Sequence, residues 1–177
     1  MRKIMMLGLV LAGTAAGLTA AAQPGDAKLQ QLVKSKVEEM NTALLRGDYA
    51  TIADLTYAKV VEESGGREKA IAAMKDLMEG LKSRGIVFRS MKVDRPLEFA
   101  SAGGEMFAVV PFLLEITAPG QKITQRTFAI GVSSDRGQTW TFINGDVGEA
   151  QVKSLLPNLP KELKLPKYQL PIIEKTK

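Results

Sequence analysis

Hydrophobic positions between residues 26 and 55 recur in threes and fours. Leu29, Val33, Val37, Met40 and Leu44 fall at spacings of 4, 4, 3 and 4. That spacing lines one face of an α-helix of about 18 residues. Asp26 stands where a cap would open the helix, and Gly47 where it would stop. Asp48 then caps a short helix over Tyr49 to Leu55. Thr56-Tyr57-Ala58-Lys59-Val60-Val61 has the β-branched and aromatic character of a short strand. Ser64-Gly65-Gly66 breaks the chain. Ala70, Ile71, Met74, Leu77, Met78 and Leu81 then restore the helical spacing, up to a stop at Gly85.

From Ile86 the period changes to two. Val87, Met91, Val93, Leu97 and Phe99 share one face of a long expected strand, with Arg89 and Arg95 among them. A Ser-Ala-Gly-Gly turn leads to a second strand, Glu105 to Thr117. One of its faces, Met106, Ala108, Val110, Phe112, Leu114 and Ile116, is wholly apolar. Its other face carries Phe107, Val109 and Leu113, and a strand apolar on both sides is expected at the centre of its sheet. Pro111 predicts a bulge or bend within it, because proline cannot donate to a ladder. Further strands are expected over Lys122 to Val132, with Phe128, Ile130 and Val132 on one face, and over Gln138 to Asn144, with Trp140 and Phe142 on one face and Ile143 on the other. Helices followed by an antiparallel meander make an α+β fold, with N-terminal helices packed on one face of a curved antiparallel sheet of about four to five strands.

The first 22 residues, MRKIMMLGLVLAGTAAGLTAAA, have the layout of a cleaved secretory signal: a basic start, an apolar stretch that ends at Leu11, and small residues before Gln23. The apolar stretch is short for a spanning helix. No Cys stands at the cleavage point for lipid attachment, so no membrane anchor is expected after cleavage. Export to the periplasm or the medium is the expectation. The organisation is then a signal over 1–22, an α+β domain over 23–156, and a Pro- and Lys-rich tail over 157–177.

The 177 residues carry 24 Lys and Arg against 19 Asp and Glu, a net +5. Two positive charges, Arg2 and Lys3, lie in the signal. The tail carries five Lys against two Glu, and residues 23–156 balance 17 against 17. A neutral body lacks the basic face that nucleic acid requires, so no nucleic-acid partner is expected. The chain has no His and no Cys. That removes the Ser-His-Asp triad, the thiolate nucleophile and His- or Cys-ligated metals. Gly65-Gly66 and Gly103-Gly104 lack the spacing of a phosphate loop, and no cofactor or metal is expected.

Three pieces resemble the nuclear transport factor 2-like superfamily. They are the opening helix that ends in Arg46-Gly47-Asp48-Tyr49, the loop Gly65-Gly66-Arg67-Glu68-Lys69-Ala70-Ile71 into a helix, and the long hairpins from 86 to 144. The resemblance spans about residues 26–146. It implies a cone with a pocket between the helix after Gly66 and the concave sheet. The superfamily holds isomerases, dehydratases, cyclases, accessory subunits and binding proteins, and its catalytic members commonly use an Asp or a His inside the cone. No residue here matches those catalytic positions, so none is carried over. A second, smaller resemblance is to the Asp box: Ser133, Asp135, Gly137, Thr139 and Trp140 fit S-x-D-x-G-x-T-W. One copy in a short chain excludes a propeller. The expected role is a stabilised turn, with the Asp135 carboxylate accepting amide hydrogens and Trp140 packing beneath.

The candidate pocket residues are few. Arg126 shares a strand face with Phe128, Ile130 and Val132 and suits an anionic ligand group, or it pairs with a carboxylate at the strand end. Arg89 is read the same way. Glu115 lies in an apolar strand where burial would raise its pKa, or it is solvated or paired near the strand end. Tyr57 is a candidate hydroxyl donor or a core ring with its OH at the rim. Met74 and Met78 are an adaptable wall or core filler. Asp94 and Glu98 read as surface charges. The expected function is a non-catalytic binding or accessory module for a small apolar molecule or an envelope protein. The alternatives are an isomerase, dehydratase or cyclase that uses a carboxylate or Tyr in the cone, and a protein that homodimerises through its sheet. The tail is expected to dock through Leu163, Leu165, Tyr168 and Leu170.

Overall fold

The computed structural model describes residues 24–96 and 98–176. The expected signal segment lies outside the described residues. Helix α1 (Pro24–Arg46) opens two residues before Asp26, so that residue is inside the first turn and is not the cap. Helix α2 (Tyr49–Leu55) starts as read: the Asp48 carboxylate accepts the Thr51 amide at 3.1 Å. The expected strand over 56–61 is overturned. Thr56 makes one parallel bridge to Phe142, the Tyr57 amide donates to the Phe142 carbonyl at 2.9 Å, and the chain then coils into helix α3 (Ala58–Glu63). Helix α4 (Arg67–Ser83) follows. The Arg67 guanidinium grips Asp54 of α2 through two bonds, at 2.7 and 3.0 Å.

Six antiparallel strands form one sheet: β1 (Val87–Val93), β2 (Glu98–Ala102), β3 (Glu105–Ala118), β4 (Gln121–Ser133), β5 (Thr141–Asn144) and β6 (Ile172–Lys175). The order is β1-β3-β4-β5, with β2 on the same side of β3 as β1 and β6 pairing β4. The long first strand of the sequence reading is therefore two strands. The register slips between Phe88 and Ser90, which takes Val87 off the face that holds Met91 and Val93. This break explains Pro111. Strand β3 runs beside β4 through Pro111 without a shift, so the expected bulge is absent there. Val109 pairs with Glu98 of β2 and Phe112 with Val93 of β1, so Pro111 stands opposite the gap between them. Its carbonyl accepts the Asp94 amide at 2.9 Å, and its nitrogen, on the same side, faces no ladder acceptor that needs a donor.

Both faces of the β3–β4 pair are covered, and β3 is central as its composition implies. On one face, Val33 and Val37 of α1 pack on Val93, Ala108, Val110, Ala129, Trp140 and Phe142. Phe99 meets Trp140 edge-on, with centroids 6.1 Å apart. On the other face, Phe107, Val109, Phe128, Ile130 and Ile143 meet Val152 and Leu155 of a further helix, α5 (Glu149–Leu155), together with Leu156 and Leu163. The reading of helices on a single face is corrected here, because α5 and the tail cover the second face. Leu163 and the half-buried Leu165 dock as expected, whereas Tyr168 and Leu170 do not. Helix α4 keeps its apolar stripe only half-buried, and Leu77 is exposed.

Candidate functional site

The sequence-selected residues do not converge. Tyr57 packs beside the cluster of Phe107, Val109 and Ile143, and burial raises its phenol pKa, helped by Glu105 and Glu62. Met74 and Met78 sit on α4, half-buried. Arg89 occupies the slip in β1, exposed, and donates to the Thr117 hydroxyl at 2.9 Å. Glu115 lies beside Ser90 and Thr124 in the ladder. Lys122 reaches its carboxylate at 2.9 Å, and the Ser90 hydroxyl donates to it at 2.9 Å. These two hold the Glu115 carboxyl below its ordinary pKa, Lys122 first. The upward shift considered for an acid–base role is therefore overturned: the carboxylate is paired across the strands instead of being isolated in an apolar strand.

Arg126 alone among these six lines a described cleft. The cleft has a volume of about 460 Å³ and lies where β3 and β4 meet the tail. Its apolar surface comes from Pro111, Phe112, Phe128 and Pro166. Arg95, Arg126 and Lys167 supply positive charge, and Asp94 and Asp146 negative charge. No residue of α4 lines it, so its place differs from the pocket that the resemblance implies. The fold builds it from distant pieces. Leu113 pairs with Arg126 and Pro111 with Phe128, which puts charge and ring on one face of the sheet. Asp94 follows the end of β1, 3.9 Å from the Arg126 guanidinium. Asp146 sits in a single 3-10 turn (Gly145–Val147) and accepts the Thr127 hydroxyl. The far wall, Pro166 to Gln169, is held by Gln125, whose amide donates to the Gln169 carbonyl at 3.0 Å.

The electrostatics of the cleft follow from these pairings. The Arg126–Asp94 contact is long and both side chains are at least half exposed, so it costs little to open. Arg95 and Lys167 have no carboxylate within 4.0 Å among the described residues. The cleft thus offers a guanidinium fork beside aromatic and proline surface, an arrangement suited to a carboxylate or phosphate on an apolar body. Sequence reasoning missed Arg95, Lys167 and Asp146. Only the expectation that the tail docks pointed toward them. Among the described residues no cluster of acidic side chains is arranged to hold a metal ion.

The turn at 133–140 is built as its sequence pattern implies. The Asp135 carboxylate accepts the Ser133 and Thr139 hydroxyls and the Gln138 and Thr139 amides at 2.6–3.0 Å. The Trp140 indole donates to the Gly137 carbonyl at 3.0 Å. Every oxygen of Asp135 is engaged within the turn. No protein-family model matches the chain, and no curated protein matches it.

Proposed function

We propose that this chain is an exported, non-catalytic binding module with a nuclear transport factor 2-like core, and that it takes a small ligand with an apolar body and an acidic group. The observation that carries the reading is the cleft of about 460 Å³ in which Arg126 stands beside Phe128 and Pro111. Supporting it, Glu115, the carboxylate considered for acid–base work, lies outside the cleft and is committed to Lys122 and Ser90. Thermal shift tests the reading, with a panel of small apolar carboxylates and phosphate esters. A true ligand at a hundredfold excess over its dissociation constant stabilises by about 2.7 kcal/mol. The Arg126→Glu variant, which folds because its side chain is mostly exposed, loses that shift. A panel that shifts neither protein, or shifts both equally, refutes the assignment.

A further inference from the structure

The charge and the exposed apolar surface of this protein collect in the same short segment. Four large hydrophobic residues are exposed between 168 and 173: Tyr168 at 66%, Leu170 at 82%, Ile172 at 64% and Ile173 at 57%. They are not on a loose end. The Lys164 amide donates to Glu98 at 3.0 Å, Gln125 holds the Gln169 carbonyl, and β6 pairs with β4 over Ile172–Lys175. The backbone is fixed, and the side chains point into water at the cost of unburied apolar area. The same stretch of chain carries Lys161, Lys164, Lys167 and Lys175, all exposed, against Glu162 and Glu174. The body from 23 to 156 is neutral, so the net charge of the chain beyond the signal segment lies here.

We propose that this segment is a docking surface for an anionic phospholipid bilayer. Protruding Tyr168 and Leu170, with Ile172 and Ile173 on the two faces of the short strand β6 and lysines along the same stretch, suit the headgroup boundary: the apolar groups enter it with the strand while the lysine stems lie along it with their ammonium groups at the phosphates. The basic excess is complementary to anionic lipid and falls off within a Debye length. A second copy fits worse, because edge-to-edge pairing of β6 brings two positive tails together. The surface is peripheral, and among the described residues no helix is long and apolar enough to cross a membrane.

The test is vesicle co-sedimentation of the protein as its host processes it, with vesicles of phosphatidylcholine alone and of phosphatidylcholine mixed with phosphatidylglycerol. Binding is expected to the mixed vesicles only and to weaken with added salt. Tyr168→Ser with Leu170→Ser should weaken it about tenfold or more. Lys161→Gln, Lys164→Gln and Lys175→Gln together should weaken it by roughly a hundredfold, on the order of fivefold per charge. Neither set touches the cleft lining, so ligand-induced thermal shifts stay as in the wild type and the two readings fail separately. The proposal is overturned if the protein stays in the supernatant with both vesicle types. It is equally overturned if the variants pellet like the wild type, or if sedimentation velocity shows a two-copy assembly that Leu170→Ser breaks.

Discussion

Asp135 illustrates how much one side chain can fix locally. Its carboxylate is held down to a pKa of about 2, first by the Thr139 hydroxyl, then by the Thr139 amide and the Ser133 hydroxyl. A carboxyl whose folded pKa lies below its unfolded value binds fewer protons when folded. Its contribution to stability is therefore present above about pH 4 and fades as the pH falls through about 2. Asp135→Ala should lower the melting temperature at neutral pH, and the gap between variant and wild type should close as the pH is taken from about 4 to about 2. A gap that is constant over that range would assign the loss to shape alone. Beyond the carboxylate, Gly137 has a φ of 87°, and a Cβ there would come within 3.0 Å of Leu29 of α1. The turn is thereby seated on the first helix. The part played by Asp135 was legible in the sequence because its partners all lie within four residues, whereas the seat on Leu29, far away in the chain, was not.

The elements separate by how local their causes are. Helix α4 and its stop at Gly85 were legible from spacing alone, and so was the alternation of β4. The stretch 56–61 was misread because its signal is real for only two residues: Thr56 and Tyr57 do meet Phe142 before α3 begins. Strand β6 left no pattern, since all four of its residues are exposed and no face alternates. Its existence depends on Thr124 and Ile123 of β4, which lie about fifty positions earlier in the chain. Helix α5 is hidden for the same reason, with Val152 and Leu155 as its buried residues. The tail that follows is a structural element, with Leu163 6% exposed in the core and Leu159 and Leu165 against it. Leu163→Ala should cost about 2–5 kcal/mol, read as a lower midpoint in urea with an unchanged slope. Deleting 157–177 should cost at least as much, because it also strips β6. An unchanged midpoint for both would mean that the tail contributes no packing.

The whole molecule is a two-sided sheet with uneven cover. Strands β3 and β4 share thirteen consecutive Cα pairs, and Phe107, Ala108, Val109 and Val110 are fully buried between α1 on one side and α5 with the tail on the other. Opening this pair exposes both cores at once, so its amides should exchange with deuterium only through global unfolding. Helix α4 has no buried residue, and it is tied to α2 by the Arg67–Asp54 fork, which is about half exposed. Exposed ion pairs contribute about 0–1 kcal/mol, so α4 should open locally at a much lower free energy. Arg67→Ala should speed exchange in α4 while leaving Val109 and Ile130 at the global limit. If α4 proves as protected as β3, then apolar contacts beneath Met74 and Met78 hold it, and a closed compartment under that helix becomes the better place to seek a ligand. If α4 exchanges early, the cleft at Arg126 stands on the more rigid part of the fold, where β4 forms the floor and the tail, tied by Gln125, forms the wall.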